Sequence, residues 1–191
     1  MARSMASTNK VLIAIPACAK PEYSDRVQAV RDTWFNDVPQ GVTASFFYGD
    51  ELGVDDDYAH LPHKVIAICR WALVHGYTHL FKCDDDTYVW PSRLLAELQR
   101  KPFDYAGYLH GYVAFGGTGY WLSRRAMEKV RDNPDCTQED VWVAKCMVAA
   151  GIEPVMLANH TTMHPVKPED MREMYRRQHE IQCSPRISVG Q

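Results

Sequence analysis

Apolar runs of strand length alternate with amphipathic runs of helical spacing along most of this chain. That alternation narrows the fold more than any other feature. Val11 to Cys18 reads as a buried first strand, and Glu22 to Phe35 follows with Val27, Val30 and Trp34 at helical spacing. Thr43 to Tyr48 is a second strand. Pro62 to His75 is a helix with Val65, Ile68, Cys69 and Ala72 on one face, stopped by Gly76. His79 to Cys83 is a short buried strand, and Pro91 to Arg100 is a helix with Pro at its start. Tyr105 to Gly119, rich in Gly and aromatics, reads as strand and loop. Ser123 can cap a helix reaching about Arg131, and Gln138 to Ala150 is another, ended by Gly151. Glu153 to Leu157 is a last strand and Pro168 to Gln178 a basic helix. The order predicts an α/β domain with a mostly parallel, Rossmann-like central sheet flanked by helices.

At 191 residues the chain suits one domain, expected over residues 10–191, with residues 1–9 as a disordered leader. The net charge of -3 argues against nucleic-acid binding, which needs a basic surface to meet phosphates. No stretch approaches the ~20 apolar residues of a membrane span, and no signal-peptide pattern precedes the first strand. The expectation is therefore a soluble, cytoplasmic protein without a transmembrane segment, although a trimmed luminal domain would read the same. The six cysteines are even in number, but a chain this long and apolar does not need disulfide staples. Cys69, His75, His79 and Cys83 raise the question of a zinc site. They lack the tight spacing of structural zinc knuckles, so buried thiols are the better reading.

The densest chemistry lies in FKCDDDTYVW, Phe81 to Trp90, where an apolar strand runs into Asp84, Asp85 and Asp86. Three adjacent carboxylates repel one another unless a cation neutralises them. Hard divalent ions take such oxygens, and manganese also accepts a histidine nitrogen. The carboxyl end of a strand in an open α/β sheet is also where ligands bind. A ligand-free acidic turn is the competing reading, and Asp55 to Asp57 is taken as such a turn. Phosphatases that pass through an aspartyl phosphate also place D-x-D after a buried strand. They normally carry Thr or Val two residues past the second Asp. Tyr88 stands there in this chain, and Thr87 is one position too early.

With these residues in place, the chain resembles glycosyltransferase family 31, the β-1,3-galactosyltransferase and Fringe group, whose fold is GT-A. Arg26-x4-Arg31-x-x-Trp34 resembles the family's first-helix motif R-x-x-I-R-x-T-W. Asp57-Tyr58-x-x-Leu61-x-x-Lys64 is similar to D-x-Y-x-N-L-x-x-K, and Lys82-x-Asp84-Asp85-Asp86 to K-x-D-D-D. Gly116-Gly117-Thr118-Gly119-Tyr120 with Leu122-Ser123 resembles the glycine loop, and Glu139-Asp140-Val141 the E-D-V segment. His164-Pro165 stands where the family often has a His-Pro pair. The six matches fall in the family's order between about Val11 and Pro165. Ala144-Lys145 departs from the family's Gly, the chain is shorter than most members, and it lacks their membrane anchor. These departures point to a pared-down soluble member, of microbial or viral kind.

The resemblance implies an inverting transfer from a UDP-sugar to a hydroxyl of a glycan or glycoprotein, with Mn2+ or Mg2+ as cofactor. A nucleotide must be held, a departing diphosphate stabilised and an acceptor proton removed. Asp86 and His164 are the expected metal ligands, with His160 as a competitor for the second place. Asp84 is expected to reach the ribose or the metal's water shell, and Asp85 to support it. Arg31 and Lys64 are the expected donor contacts, Lys64 as a point charge on phosphate. Solvated helix faces are the bland reading for both. Ala17, at the end of the first strand, should lie under the nucleotide base. Gly117 and Thr118 belong to a loop that either approaches a ligand closely or forms a tight structural turn. Asp140 is the expected catalytic base, at a helix start where the dipole favours a carboxylate, with Glu139 orienting the loop or touching the acceptor. Lys167, Arg172, Arg176 and Arg177 form either a lid over the phosphates or a solvated face. A non-catalytic sugar-nucleotide or carbohydrate-binding module of the same fold is the alternative function.

Overall fold

The computed structural model describes residues 9–158 and 160–183. Residues 1–8 of the expected leader lie outside them. The chain runs β1 (Val11–Pro16), α1 (Ser24–Asp32), β2 (Val42–Phe47), a one-turn α2 (Gly49–Leu52) and α3 (Leu61–Val74). Then come β3 (His79–Lys82), β4 (Tyr88–Val89), α4 (Pro91–Arg100), β5 (Tyr105–Gly107), β6 (Leu109–His110) and β7 (Val113–Ala114). β8 (Tyr120–Ser123), α5 (Arg124–Met127), α6 (Glu139–Ala149), β9 (Pro154–Met156), β10 (Thr162–Met163) and α7 (Pro168–Cys183) complete it.

Six strands form the central sheet in the order β2-β1-β3-β8-β5-β9, and only β8 runs against its neighbours. Period-two alternation sorts β1 between the two faces. Leu12 and Ala14 pack under α3 and α6, while Val11, Ile13 and Ile15 pack against α1 and its neighbours. Both faces being covered, β1 needs no polar positions, and all six of its residues are buried. Cys69 sits in the first core and Cys83 in the second, on opposite faces of the sheet, so they cannot share a zinc ion. Both are free thiols.

Two elements differ from the sequence reading. Tyr120 to Ser123, expected as the tail of a glycine loop, is β8, wedged between β3 and β5 with all four residues buried. The helix after Ser123 is a single turn, although the Ser123 hydroxyl does cap it by accepting from the Ala126 N–H. The chain leaves the helix at Glu128, short of the expected end near Arg131. No helix among the described residues is long and apolar enough to cross a membrane.

Candidate active site

β1 and β3 are parallel neighbours, so their carboxyl ends meet at one edge of the sheet. A cleft of about 550 Å³ opens there, lined by Ala17, Tyr23, Arg26, Asp56, Lys64, the three aspartates, Gly117 and His164, among others. The acidic turn at its base is pinned from several sides. Cys83 N–H donates to the Ala14 carbonyl at 3.1 Å, and Trp34 Nε1 donates to the Thr87 carbonyl at 3.0 Å. Thr87 Oγ1 donates to the Gly117 carbonyl at 2.7 Å. β10 pairs with β4 just beyond the turn, and the Val166 N–H donates to the Asp86 carbonyl at 2.8 Å. This pairing carries His164 from the far end of the chain to the aspartates.

His164 Nε2 lies 3.1 Å from Asp86 Oδ1 and 3.9 Å from Asp84 Oδ2. Arg26 Nη1 donates to Asp86 Oδ2 at 3.0 Å and to Asp85 Oδ1 at 3.4 Å. Burial works against ionised Asp86, but the His164 hydrogen bond and the Arg26 charge outweigh it and hold the carboxyl below its ordinary range. Asp85 is buried more deeply, and desolvation pushes it up to about 6 against the pull of Arg26. The Asp86 hydrogen bond raises His164 against the opposing effect of burial. Ligand atoms of Asp84, Asp86 and His164 all lie within 4.8 Å of one another. Two carboxylates and an imidazole at that spacing suit Mn2+, and the carboxylates alone suit Mg2+. Gly117 keeps the space open, because a Cβ there would run into the His164 ring.

Behind this rim lies a dry network. Lys82 is fully buried and donates to Asp84 Oδ1 at 2.6 Å, to the Gly116 carbonyl at 3.2 Å and to Glu139 Oε1. Glu139 Oε2 accepts from the Tyr120 hydroxyl at 2.6 Å. Burial disfavours the Lys82 cation, but Asp84 and Glu139 more than offset it and raise its pKa. A side chain on Gly116 would strike the Glu139 carboxylate. Asp140, next in the chain and half-buried, accepts from the Gly116 N–H at 3.1 Å through Oδ2 and from its neighbour Val141 at 2.8 Å through Oδ1.

The structure thus brings Ala17, Lys64, Asp84, Asp85, Asp86, Gly117 and His164 to one cleft, with Glu139 and Asp140 behind its glycine wall. Lys64 is buried there, already paired with Asp56 and donating to the Ala17 carbonyl at 2.7 Å. It braces the cleft floor, with its charge neutralised by Asp56. Thr118 is not brought in; it lines a separate small cavity, and its hydroxyl donates to the Phe115 carbonyl at 3.3 Å. Arg31 is not brought in either. It is exposed, with its guanidinium 4.6 Å from the Phe46 ring centre. Five residues along a helix turn a side chain by about 140°, so Arg26 and Arg31 cannot face the same way. His160 lies with Glu97 instead of the aspartates, at 3.9 Å. Arg172 is held by Asp25 at 2.6 Å and Asp32 at 3.1 Å, so α7 docks against α1 as a brace.

Sequence reasoning passed over two side chains that the site uses. Arg26 was visible only as part of a helix motif, and its first-turn position beside Tyr23 was the available signal. Asp56 was hidden within an acidic turn. Its carboxylate pairs with Lys64 and accepts from the Gly49 N–H at 2.9 Å and the Ala19 N–H at 3.2 Å.

Neither a protein-family model nor a curated protein sequence matches this chain. Solved structures do. The chain is similar to A197 from STIV, at 14% identity and TM-score 0.53, over 83% of this chain and 87% of that one. It is similar to a glycosyltransferase involved in the glycosylation of the major capsid of PBCV-1, at 11% identity and TM-score 0.54, over 86% and 99%. A Desulfovibrio desulfuricans G20 protein described as a nucleotide-diphospho-sugar transferase aligns at 12% identity and TM-score 0.50, over 78% and 80%. The fold is a GT-A-like glycosyltransferase fold. At these identities the likeness concerns the fold alone, so the chemistry must be argued from the cleft.

Proposed function

We propose that this protein is a metal-dependent, inverting glycosyltransferase of the family 31 type. It would move a sugar from a UDP-sugar to a hydroxyl of a glycan or glycoprotein. The observation that carries this reading is the meeting of Asp84, Asp86 and His164 at the carboxyl end of β3, beside a cleft large enough for a nucleotide sugar. Bound by these three residues, Mn2+ or Mg2+ would supply Lewis-acid stabilisation of the charge gathering on the departing diphosphate.

The chain's own groups divide the remaining work. Ala17 and Tyr23, at the end of β1 and before α1, form the wall available to the nucleotide. Arg26, half-exposed, is free to exchange an aspartate partner for a phosphate oxygen, a charge-assisted bond of the stronger class. Asp140 takes the acceptor's hydroxyl proton. The acceptor oxygen bonds to the anomeric carbon from the face opposite the diphosphate, and the carbon–oxygen bond to the diphosphate breaks with its electron pair leaving on the diphosphate. Lys82 and Glu139 hold the glycine loop and the start of α6, and through them the carboxylate of Asp140.

A nucleotide-sugar panel tests this reading. UDP-sugars with Mn2+ should raise the melting temperature, since a ligand of the native state stabilises by mass action, and EDTA should abolish the shift. Equal shifts with EDTA, or none with any nucleotide sugar, would count against it.

A further inference from the structure

Beside the glycine loop, three large aromatic side chains stand in solvent. Tyr108 is 43% exposed, Tyr112 50% and Phe115 44%. They border the β6–β7 hairpin, whose turn is Gly111–Tyr112. Three such rings on one short hairpin form a local cluster, whereas the other strongly exposed ring, Tyr58, stands in the cleft, and exposed apolar patches mark interaction sites. The Tyr108 and Phe115 ring centres are 6.1 Å apart, inclined by 30°, and the exposed His110 ring lies 6.2 Å from Phe115. Met156, also exposed, adds its thioether where it accepts from the Leu109 N–H at 3.3 Å.

The patch is held firmly from beneath. Ala114 is fully buried, and its N–H donates to the Tyr105 hydroxyl at 2.8 Å. The Phe115 N–H donates to the Tyr108 carbonyl at 2.9 Å, extending the hairpin ladder. The rings therefore sit on a fixed backbone, which lowers the ordering cost of binding. The patch also adjoins the glycine loop along the chain, because Gly116, the residue after Phe115, is the one whose N–H meets Asp140.

We infer that Tyr108, Phe115 and Tyr112 form the acceptor subsite, a platform on which a pyranose ring of a glycan lies with its C–H face against the aromatic rings. This rests on the transferase reading and specifies its acceptor. The chemistry favours a sugar over other occupants. A pyranose offers one flat apolar face rimmed by hydroxyls, and the patch offers flat rings rimmed by two tyrosine hydroxyls and a histidine, all able to hydrogen-bond. The nearby cation, Lys145, is engaged by Asp135 at 2.7 Å, so the patch presents no cluster of charge to a phosphate or an anionic surface. Phe115 precedes Gly116, so a sugar lying on its ring would approach the Gly116–Asp140 contact, where the proposed base would take its hydroxyl proton.

Saturation-transfer NMR on the whole protein, with and without UDP and Mn2+, tests this using methyl glycosides of galactose, glucose, N-acetylglucosamine and xylose, with glycerol as the control. At least one glycoside should take up saturation on the C–H protons of one face, and glycerol none. Phe115→Ala and Tyr108→Ala should each weaken that glycoside's binding by about fivefold or more while keeping wild-type circular dichroism. Tyr112→Ala, at the hairpin tip, is the milder variant if either of the others unfolds. The platform is overturned if no glycoside binds, or if the variants bind as well as the wild type. Calorimetry with UDP and Mn2+ separates the two readings. Tight UDP binding without glycoside binding sinks only the platform, whereas glycoside binding that depends on these rings without UDP binding sinks only the donor reading.

Discussion

Two charged clusters lie one behind the other in this protein and obey different rules. The inner one, Lys82 with Glu139 and Tyr120, is closed to water, and each polar atom has a partner. The outer one, Asp86 with Arg26 and His164, is open to the cleft, with side-chain exposures of 18%, 40% and 26%. An ion pair in the dry interior cannot lose one member without stranding the other, so it fixes geometry. A partly solvated set can exchange partners at little cost, so it can bind. Asp84 bridges them, with one oxygen on Lys82 and the other turned toward His164. The same fold edge thus supplies a rigid mount and an adaptable ligand set.

The largest effect should come from unpairing the mount. Lys82→Met leaves Glu139 buried with only Tyr120 for a partner, and should destabilise the protein by about 3–5 kcal/mol in urea unfolding. Asp86→Asn should cost about 1 kcal/mol or less, as partly exposed pairs do. Equal losses would erase the distinction between the clusters.

Next in size is the effect at the proposed base. Asp140→Asn keeps the side chain's shape and should reduce sugar transfer by ~10² or more while UDP binding persists. Steady-state kinetics beside calorimetry decides it, and loss of donor binding in this variant would contradict the assigned role.

The rim should respond to acid. His164 must give up its proton to become a metal ligand, and Asp86 raises its pKa above 6.5. Lowering the pH through that raised value therefore protonates the ring and should weaken Mn2+ binding. The affinity should recover as pH rises past it. In His164→Ala that dependence should vanish along with most of the affinity. An unchanged pH profile in the variant would remove His164 from the ligand set.

The smallest effect separates two arginines of one helix. Arg26→Ala should weaken UDP binding by roughly tenfold, the value of one charged hydrogen bond. Arg31→Ala should change it by less than about twofold, since its guanidinium lies over Phe46 on the other side of α1. The reverse order would overturn the placement of Arg26 at the phosphates.

What the sequence makes legible follows from how local the signal is. Strand and helix alternation is written in the periodicity of each segment, so the layered α/β sheet is readable from it. β8 is not, because Tyr120 to Ser123 is buried on both faces and its four residues carry no alternation to count. The acidic turn after β3 announces itself through its charge density, and His164 enters only through its family-like pairing with Pro165. Motif spacing does not carry helical phase, which places Arg26 on the cleft and Arg31 away from it. Asp56 and Asp57 are neighbours with different fates. Asp56 turns inward to Lys64 while Asp57 caps the turn by accepting from the His60 N–H, and only the loop's path decides between them.

The central claim is that Asp84, Asp86 and His164 act together as a divalent-metal site for a nucleotide diphosphate. Titration calorimetry of UDP into the wild-type protein and Asp86→Ala, each with Mn2+ and with EDTA, addresses it most directly. The account predicts binding by wild type with Mn2+ and a drop of about tenfold or more with EDTA or in the variant. UDP affinity that is the same with and without Mn2+, or unchanged in Asp86→Ala, would contradict it.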